Sequence, residues 1–142
     1  MKRLRLASKL SLAIVPIGLV ALLAGGFVAW TFFQRTTAQE QASRAAATSV
    51  EAMTTLRTIW SEEQAVAFGT VSMGAVHGAV DTAVARLKAA GATLDPTTAA
   101  GVEMIATIAQ VETALDQARA QTGGYDLVNE LILSLISEAT FT

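Results

Sequence analysis

The sequence contains no cysteine and only one histidine, His77. The missing cysteines exclude disulfide bonds, thiolate metal sites and cysteine nucleophiles. One histidine is too few for a metal centre built on histidine ligands. Phosphate-binding loops, nucleophile elbows and metal-ligand spacings are absent as well. We therefore expect a protein that is not an enzyme and that uses no cofactor or metal.

Charged residues are scarce and unevenly distributed. They make up 15% of the chain, against about a quarter in an ordinary soluble domain. An uncharged apolar segment therefore lowers the overall fraction of charged residues. Four basic residues precede residue 10, and all twelve acidic residues follow it. The distal part lacks the basic patch that binding to nucleic acid requires. Nucleic acid is therefore not an expected partner.

An uncharged apolar run covers residues 10–33. A helix over this range is roughly 36 Å long, enough to cross a hydrocarbon core of about 30 Å with some tilt. The basic flank before it indicates a cytoplasmic N-terminus. We expect a cytoplasmic basic leader over 1–9, a transmembrane helix over 10–33 in contact with membrane lipid, and an extracytoplasmic helical bundle over 34–142.

A cleaved signal peptide is the alternative interpretation of this run. Residues 36–38 fit a cleavage site, but the run exceeds the 7–15 apolar residues typical of a signal peptide. Within the run, Ala21, Gly25 and Ala29 recur at every fourth position. Such a small-residue stripe either lets two membrane helices pack closely or arises by chance from a composition rich in Gly and Ala.

The distal sequence predicts an all-α fold, because its apolar residues recur every three or four positions and no segment alternates with period two. We expect four amphipathic helices with short connections, which form an up-and-down antiparallel bundle. Their expected ranges are 37–67, 75–90, 96–121 and 126–139. The first is expected to continue almost directly from the membrane helix.

Local signals refine these helices. On the first, the spacing predicts a buried face made of Val50, Met53, Leu56 and Trp60. Glycines at 69, 74 and 78 predict a turn within residues 68–75, because each glycine disfavours a helix by roughly 1 kcal/mol. Asp95-Pro96 predicts the start of the third helix, with the aspartate as its cap.

Candidate ligand-binding residues are Arg57, Glu62 and Glu63. The two glutamates are the one adjacent carboxylate pair, but neighbours on a helix point about 100° apart, so a solvated helix edge is the simpler interpretation. Arg57 is suited to a small planar anion if a second arginine converges on it. Its simpler interpretation is a surface residue paired with Glu51 or Glu62.

Several segments resemble bacterial sensor histidine kinases and chemoreceptors. The opening at 3–26, a basic stretch leading into a proline-containing apolar run, is similar to the start of such proteins. The segments 56–69, 80–91 and 114–139 resemble the nitrate- and nitrite-sensing helical domain found in them. The family's Glu-Arg pair corresponds to Glu62 and Glu63, so an acid stands where an arginine would contribute to anion recognition.

The resemblance implies a membrane-anchored sensor or receptor-like module for signal transduction in a bacterial plasma membrane, with a small anion as its ligand. It also implies a homodimer, and a longer receptor of which this chain is one part. The other hypothesis is a non-catalytic accessory or interaction subunit of a larger envelope complex. The missing output domain favours this second hypothesis.

Overall fold

The computed structural model describes residues 4–69, 72–121 and 124–141. Side-chain surroundings are described for 22–69, 72–121 and 124–139. Four helices make up this part of the chain: α1 (Leu4–Phe68), α2 (Met73–Gly91), α3 (Ala99–Gln121) and α4 (Asp126–Phe141). No strand occurs in the described residues. The predicted all-α class and the four helices are confirmed, and the first distal helix and the apolar run belong to the same helix, α1.

The chain divides into two units, residues 1–39 and 40–142. In the first, the large apolar side chains described are exposed, among them Phe27 and Trp30. The predicted membrane span begins before these residues, and the side chains of 10–21, with Ala21, lie outside the described part. Within the described part, no helix combines the length and apolar character that a membrane crossing requires. Gly25 has open space around it and Ala29 is exposed.

The second unit holds the core. Its central side chains are fully buried. They come from all four helices, α1 to α4, whose segments in this unit the sequence predicted to be amphipathic. The largest apolar ones are Ile59, Leu87, Met104, Ile132 and Leu135. The periodically spaced apolar residues of α2, α3 and α4 supply most of this core. An amphipathic helix buries its apolar stripe against its neighbours, which is the reason that spacing alone located these faces.

On α1 the predicted face is wrong. Leu56 is buried, but Val50, Met53 and Trp60 are 60%, 51% and 50% exposed. The buried side is displaced around the helix and consists mainly of small or polar residues: Ala45, Thr48, Ala52, Thr55, Ile59 and Glu62. Small side chains let the helices approach closely. The Thr55 hydroxyl, for example, lies 3.3 Å from the carbonyl oxygen of Ala83 in α2.

The turn before α3 also differs from the prediction. Asp95 does not cap the helix; its carboxylate accepts hydrogen bonds from the Thr97 amide at 2.8 Å and the Thr97 hydroxyl at 2.6 Å. The helix begins after Thr98, whose hydroxyl oxygen accepts a hydrogen bond from the Gly101 amide at 3.1 Å. The expectation failed because Pro96 forms part of a turn rather than the first turn of the helix.

The turn between α1 and α2 agrees with the glycine signal. Gly69 has a φ of 61°, a left-handed conformation that glycine adopts without strain. Its amide donates to the Ala65 carbonyl at 2.9 Å, which closes the last turn of α1. The next helix begins at Met73, so only residues 69–72 separate the end of α1 from the start of α2.

Candidate functional site

A buried ion pair joins α1 to α3. Glu62 is 0% exposed although it is charged. The Arg119 guanidinium donates to both of its carboxylate oxygens, from Nε to Oε1 at 2.8 Å and from Nη2 to Oε2 at 2.9 Å. This two-point geometry matches the planar fork of arginine to the planar carboxylate, which is the strongest form of such a pair. The expectation of a solvated edge is therefore wrong for Glu62.

Two other elements reach the same carboxylate. The Tyr125 hydroxyl, next to the start of α4, donates to Glu62 Oε1 at 2.8 Å. His77 of α2 brings its Nε2 to 3.7 Å from that oxygen. Arg119 also donates from Nη1 to Asp81 of α2 at 2.8 Å. One carboxylate on α1 is thus the meeting point of the other three helices, and we call these five residues the Glu62 cluster.

The contacts shift the proton affinities of the cluster. Burial raises the pKa of the Glu62 carboxyl, but the hydrogen bonds from Arg119 and Tyr125 outweigh burial and hold this pKa below its ordinary value. The hydrogen bond to Glu62 raises the pKa of the Arg119 guanidinium. Burial, followed by the hydrogen bond to Glu62, raises the pKa of Tyr125 to about 12. Near neutral pH the cluster therefore holds a carboxylate, a guanidinium and a neutral phenol.

A cavity of about 330 Å³ lies beside the cluster. Its wall is mostly apolar, and the polar groups of the cluster occupy one side. The residues that line it include Ala65, Val66, Met73, His77, Arg119 and Tyr125. Because Glu62 itself is sealed from solvent, a molecule in the cavity would contact the groups that hold Glu62 rather than the carboxylate.

The charges around the cavity do not favour an anion. Arg119 is opposed by the carboxylates of Glu62 and Asp81. Glu63 is near enough to act electrostatically on the Tyr125 hydroxyl and to raise its pKa. Two carboxylates therefore contact one guanidinium, whose donors are already directed at their oxygens. The geometry suits a neutral or positively charged polar group better than a negative one.

The three candidates from the sequence are not brought together. Glu62 lies in the core, Glu63 is half-buried and Arg57 is exposed. Among the described residues, Arg57 pairs with neither Glu51 nor Glu62, and the partner of Glu62 is Arg119. No group of His, Asp or Glu in the described part of the chain is arranged to hold a metal ion.

Sequence reasoning missed most of the cluster. Glu62 and Arg119 are 57 positions apart, and no local spacing connects them. The one available signal was that His77 and Asp81 are four residues apart, so both lie on one face of α2. Nothing in the sequence distinguished Arg119 as a functional residue, because a single arginine near the end of a helix is common.

Comparison with known protein families, curated proteins and solved structures found no match to this chain. The likeness to the nitrate- and nitrite-sensing domain therefore stays a prediction from the sequence.

Proposed function

We propose that the chain is a membrane-anchored, receptor-like module, with residues 10–33 as the anchor and an extracytoplasmic bundle that takes up a small ligand. The supporting observation is the Glu62 cluster. It lies beside a cavity and joins α1 to the three other helices. The helix it holds, α1, also contains the apolar run. A ligand that displaces Arg119 or Tyr125 would therefore change how the bundle holds α1.

The ligand class follows from the cavity wall. Ala65, Val66 and Met73 offer an apolar surface, and methionine sulfur favours contact with aromatic rings. The excess of carboxylates disfavours a negatively charged group. The proposed ligand is a small molecule with an apolar body and a neutral or cationic polar end. The small anion suggested by the resemblance is not retained, because Arg57 is isolated on the surface and Arg119 is already paired.

A series of three probes of similar size tests this assignment. Benzylamine, benzyl alcohol and benzoate share one ring and differ in charge at neutral pH. Each is titrated into the full chain in mild detergent, and the thermal unfolding midpoint is recorded, since a ligand that binds only the folded state raises it. We expect the largest rise for benzylamine and none for benzoate or nitrate. A rise for benzoate alone, or for no probe, refutes the ligand assignment.

A variant with the cavity filled shows where the probe binds. Val66→Trp places a large ring at the cavity rim, where Val66 is 37% exposed. The matched control is Val102→Trp on the outer side of α3, where Val102 is 53% exposed. We expect the benzylamine response to disappear in Val66→Trp and to persist in Val102→Trp. An equal response in both variants places the binding elsewhere.

The membrane orientation is tested separately. Because the chain has no cysteine, a single introduced thiol reports its own location. A maleimide that cannot cross membranes should label Ser137→Cys in intact bacterial cells, since residue 137 belongs to the proposed extracytoplasmic bundle. It should label Ser8→Cys only after the cells are opened. Labelling of both or neither in intact cells contradicts the proposed topology.

One observation favours the second candidate function, an accessory or interaction subunit. Apolar side chains of α1 that the sequence assigned to the core lie at the surface, including Met53 and Trp60. Such side chains grouped on one face are typical of a surface that binds another protein.

A further inference from the structure

His77 lies where the Glu62 cluster meets the cavity. Its side chain is 39% exposed and forms part of the cavity wall, whereas the Glu62 carboxylate beside it is sealed from solvent. Imidazole is the side chain that ordinarily gains a proton between about pH 8 and pH 5. Because His77 is the one histidine of the chain, it is the group on this wall whose charge changes in that range.

The imidazole approaches Glu62 without a hydrogen bond to it. His77 Nε2 lies 3.7 Å from Glu62 Oε1, which exceeds the usual length of a hydrogen bond. This oxygen already accepts from Arg119 Nε and from the Tyr125 hydroxyl. A protonated His77 is therefore attracted to Glu62 by charge, and the hydrogen bonds that join the helices stay in place.

The charges around His77 oppose one another. The ionisable groups in and around the Glu62 cluster come from every neighbouring element: Glu62 and Glu63 of α1, Asp81 of α2, Asp116 and Arg119 of α3, and Tyr125 before α4. Within the cluster, two carboxylates face one guanidinium, so its net charge is negative while the imidazole is neutral. A proton on His77 cancels that charge. Since attraction to the carboxylates is opposed by repulsion from Arg119, whose Nη2 lies 3.4 Å from the His77 carbonyl oxygen, the bundle stays folded in both states.

We propose that the proton on His77 decides which charge the cavity accepts. The inference rests on the proposed function, in which a ligand with a neutral or cationic polar end enters this cavity. Near pH 8 a cationic end meets a cluster with net negative charge. Near pH 5 it meets an imidazolium on the same wall, and the cluster has no net charge left to attract it. A neutral end is indifferent to the change, so His77 makes the cavity release cationic ligands in acid.

Titrations of the full chain in mild detergent at pH 8 and pH 5 test the proposal. Benzylamine is a cation at both values, and benzyl alcohol carries the same ring without a charge. Their affinities are obtained from the rise of the thermal unfolding midpoint with ligand concentration. Benzylamine should bind about tenfold more weakly at pH 5 because two like charges then share the cavity, whereas benzyl alcohol should bind equally at both values.

The outcomes separate this inference from the proposed function. Equal binding of benzylamine at both pH values, or a parallel fall for benzylamine and benzyl alcohol, overturns the role of His77 and leaves the proposed ligand class standing. Absence of any response to benzylamine at either pH removes the ligand class and the role of His77 together.

A pair of variants assigns the pH dependence to one residue. His77→Gln keeps a polar side chain that gains no proton, so the ratio of the benzylamine affinities at pH 8 and pH 5 should fall to about one. Asp81→Asn is the matched control one turn along the same face of α2. It removes a charge from the cluster but retains His77, so the ratio should persist. A ratio that also persists in His77→Gln contradicts the proposal.

The imidazole can also be followed directly in the unmodified chain. Its carbon-bound protons give one set of nuclear magnetic resonance signals to assign, because there is one histidine. Since the coupling between ligand and proton is reciprocal, saturating benzylamine should lower the pH of half-protonation by about one unit. Signals that do not titrate between pH 5 and pH 8, or a midpoint that bound benzylamine leaves unchanged, overturn the proposal.

Discussion

The Glu62 cluster allows the effect of one substitution to be calculated from its contacts. In Glu62→Gln, the amide oxygen still accepts from Arg119 Nε and from Tyr125. Its NH₂ group, however, faces Arg119 Nη2, where Glu62 Oε2 accepts a hydrogen bond at 2.9 Å. Two donors then oppose each other, and the attraction between the charges is lost. Removing one charge from a buried ion pair costs about 3–5 kcal/mol.

The lower end of this range applies here. Arg119 keeps its hydrogen bond to Asp81, and its side chain is 21% exposed, so water relieves part of the loss. We expect Glu62→Gln to lower the free energy of unfolding by about 3 kcal/mol. For a domain of about 100 residues this corresponds to a fall of roughly 12 °C in the thermal midpoint. Thermal unfolding followed by far-ultraviolet circular dichroism measures it directly.

The neighbouring carboxylate provides the control. Glu63→Gln removes the same charge one residue along, from a half-buried side chain that forms no ion pair within the described structure. Substitutions of this kind change stability by less than about 0.5 kcal/mol. If Glu62→Gln and Glu63→Gln unfold at the same temperature, the ion pair does not stabilise the bundle, which refutes the prediction. A double-mutant cycle with Arg119→Gln should give a coupling energy well above zero.

The further predictions concern pH, the turn before α3 and a glycine within α2. Because the pKa of Glu62 is lower in the folded than in the unfolded chain, its stabilising contribution is complete above about pH 4.5 and is lost as pH falls through the folded value. Tyr125 behaves oppositely: its pKa rises from 10.0 to about 12 on folding, so its contribution is complete below pH 10 and is lost as pH rises towards 12. Denaturant titrations across both ranges should therefore show a plateau between them, and in Glu62→Gln a shallower acid limb. Gly101→Ala should destabilise the bundle, because a Cβ there collides with the backbone oxygen of Asp95, whereas Gly78→Ala has open space and should stabilise α2 by up to about 1 kcal/mol. Thr98→Ala removes the cap of α3 and should cost about 1 kcal/mol, with the same titrations as the measurement.

The presence of the helices was predictable because helix formation depends on residues that are close in sequence. Apolar residues three and four positions apart mark an amphipathic helix wherever it packs, and α2, α3 and α4 follow this rule through Leu87, Met104 and Ile132. The turn at Gly69 was predictable for the same reason, since several nearby glycines disfavour a helix locally, although Gly74 and Gly78 themselves lie within α2. The cap of α3 was not, because Asp95 and Thr98 both suit that position and only the path of the turn selects between them.

The face of α1 and the Glu62 cluster were decided by tertiary structure. The sequence predicted that α1 is helical and that it bears large apolar residues, but either of two sides of this helix could have been buried. Close approach of α2 selected the side with Ala52 and Thr55, which left Met53 and Trp60 exposed. The pairing of Glu62 with Arg119 depends on two helices that are distant in sequence, so no local pattern could reveal it. Charge, length and periodicity can be read directly from the sequence. A buried carboxylate, by contrast, is stable only where folding brings an arginine into contact with it.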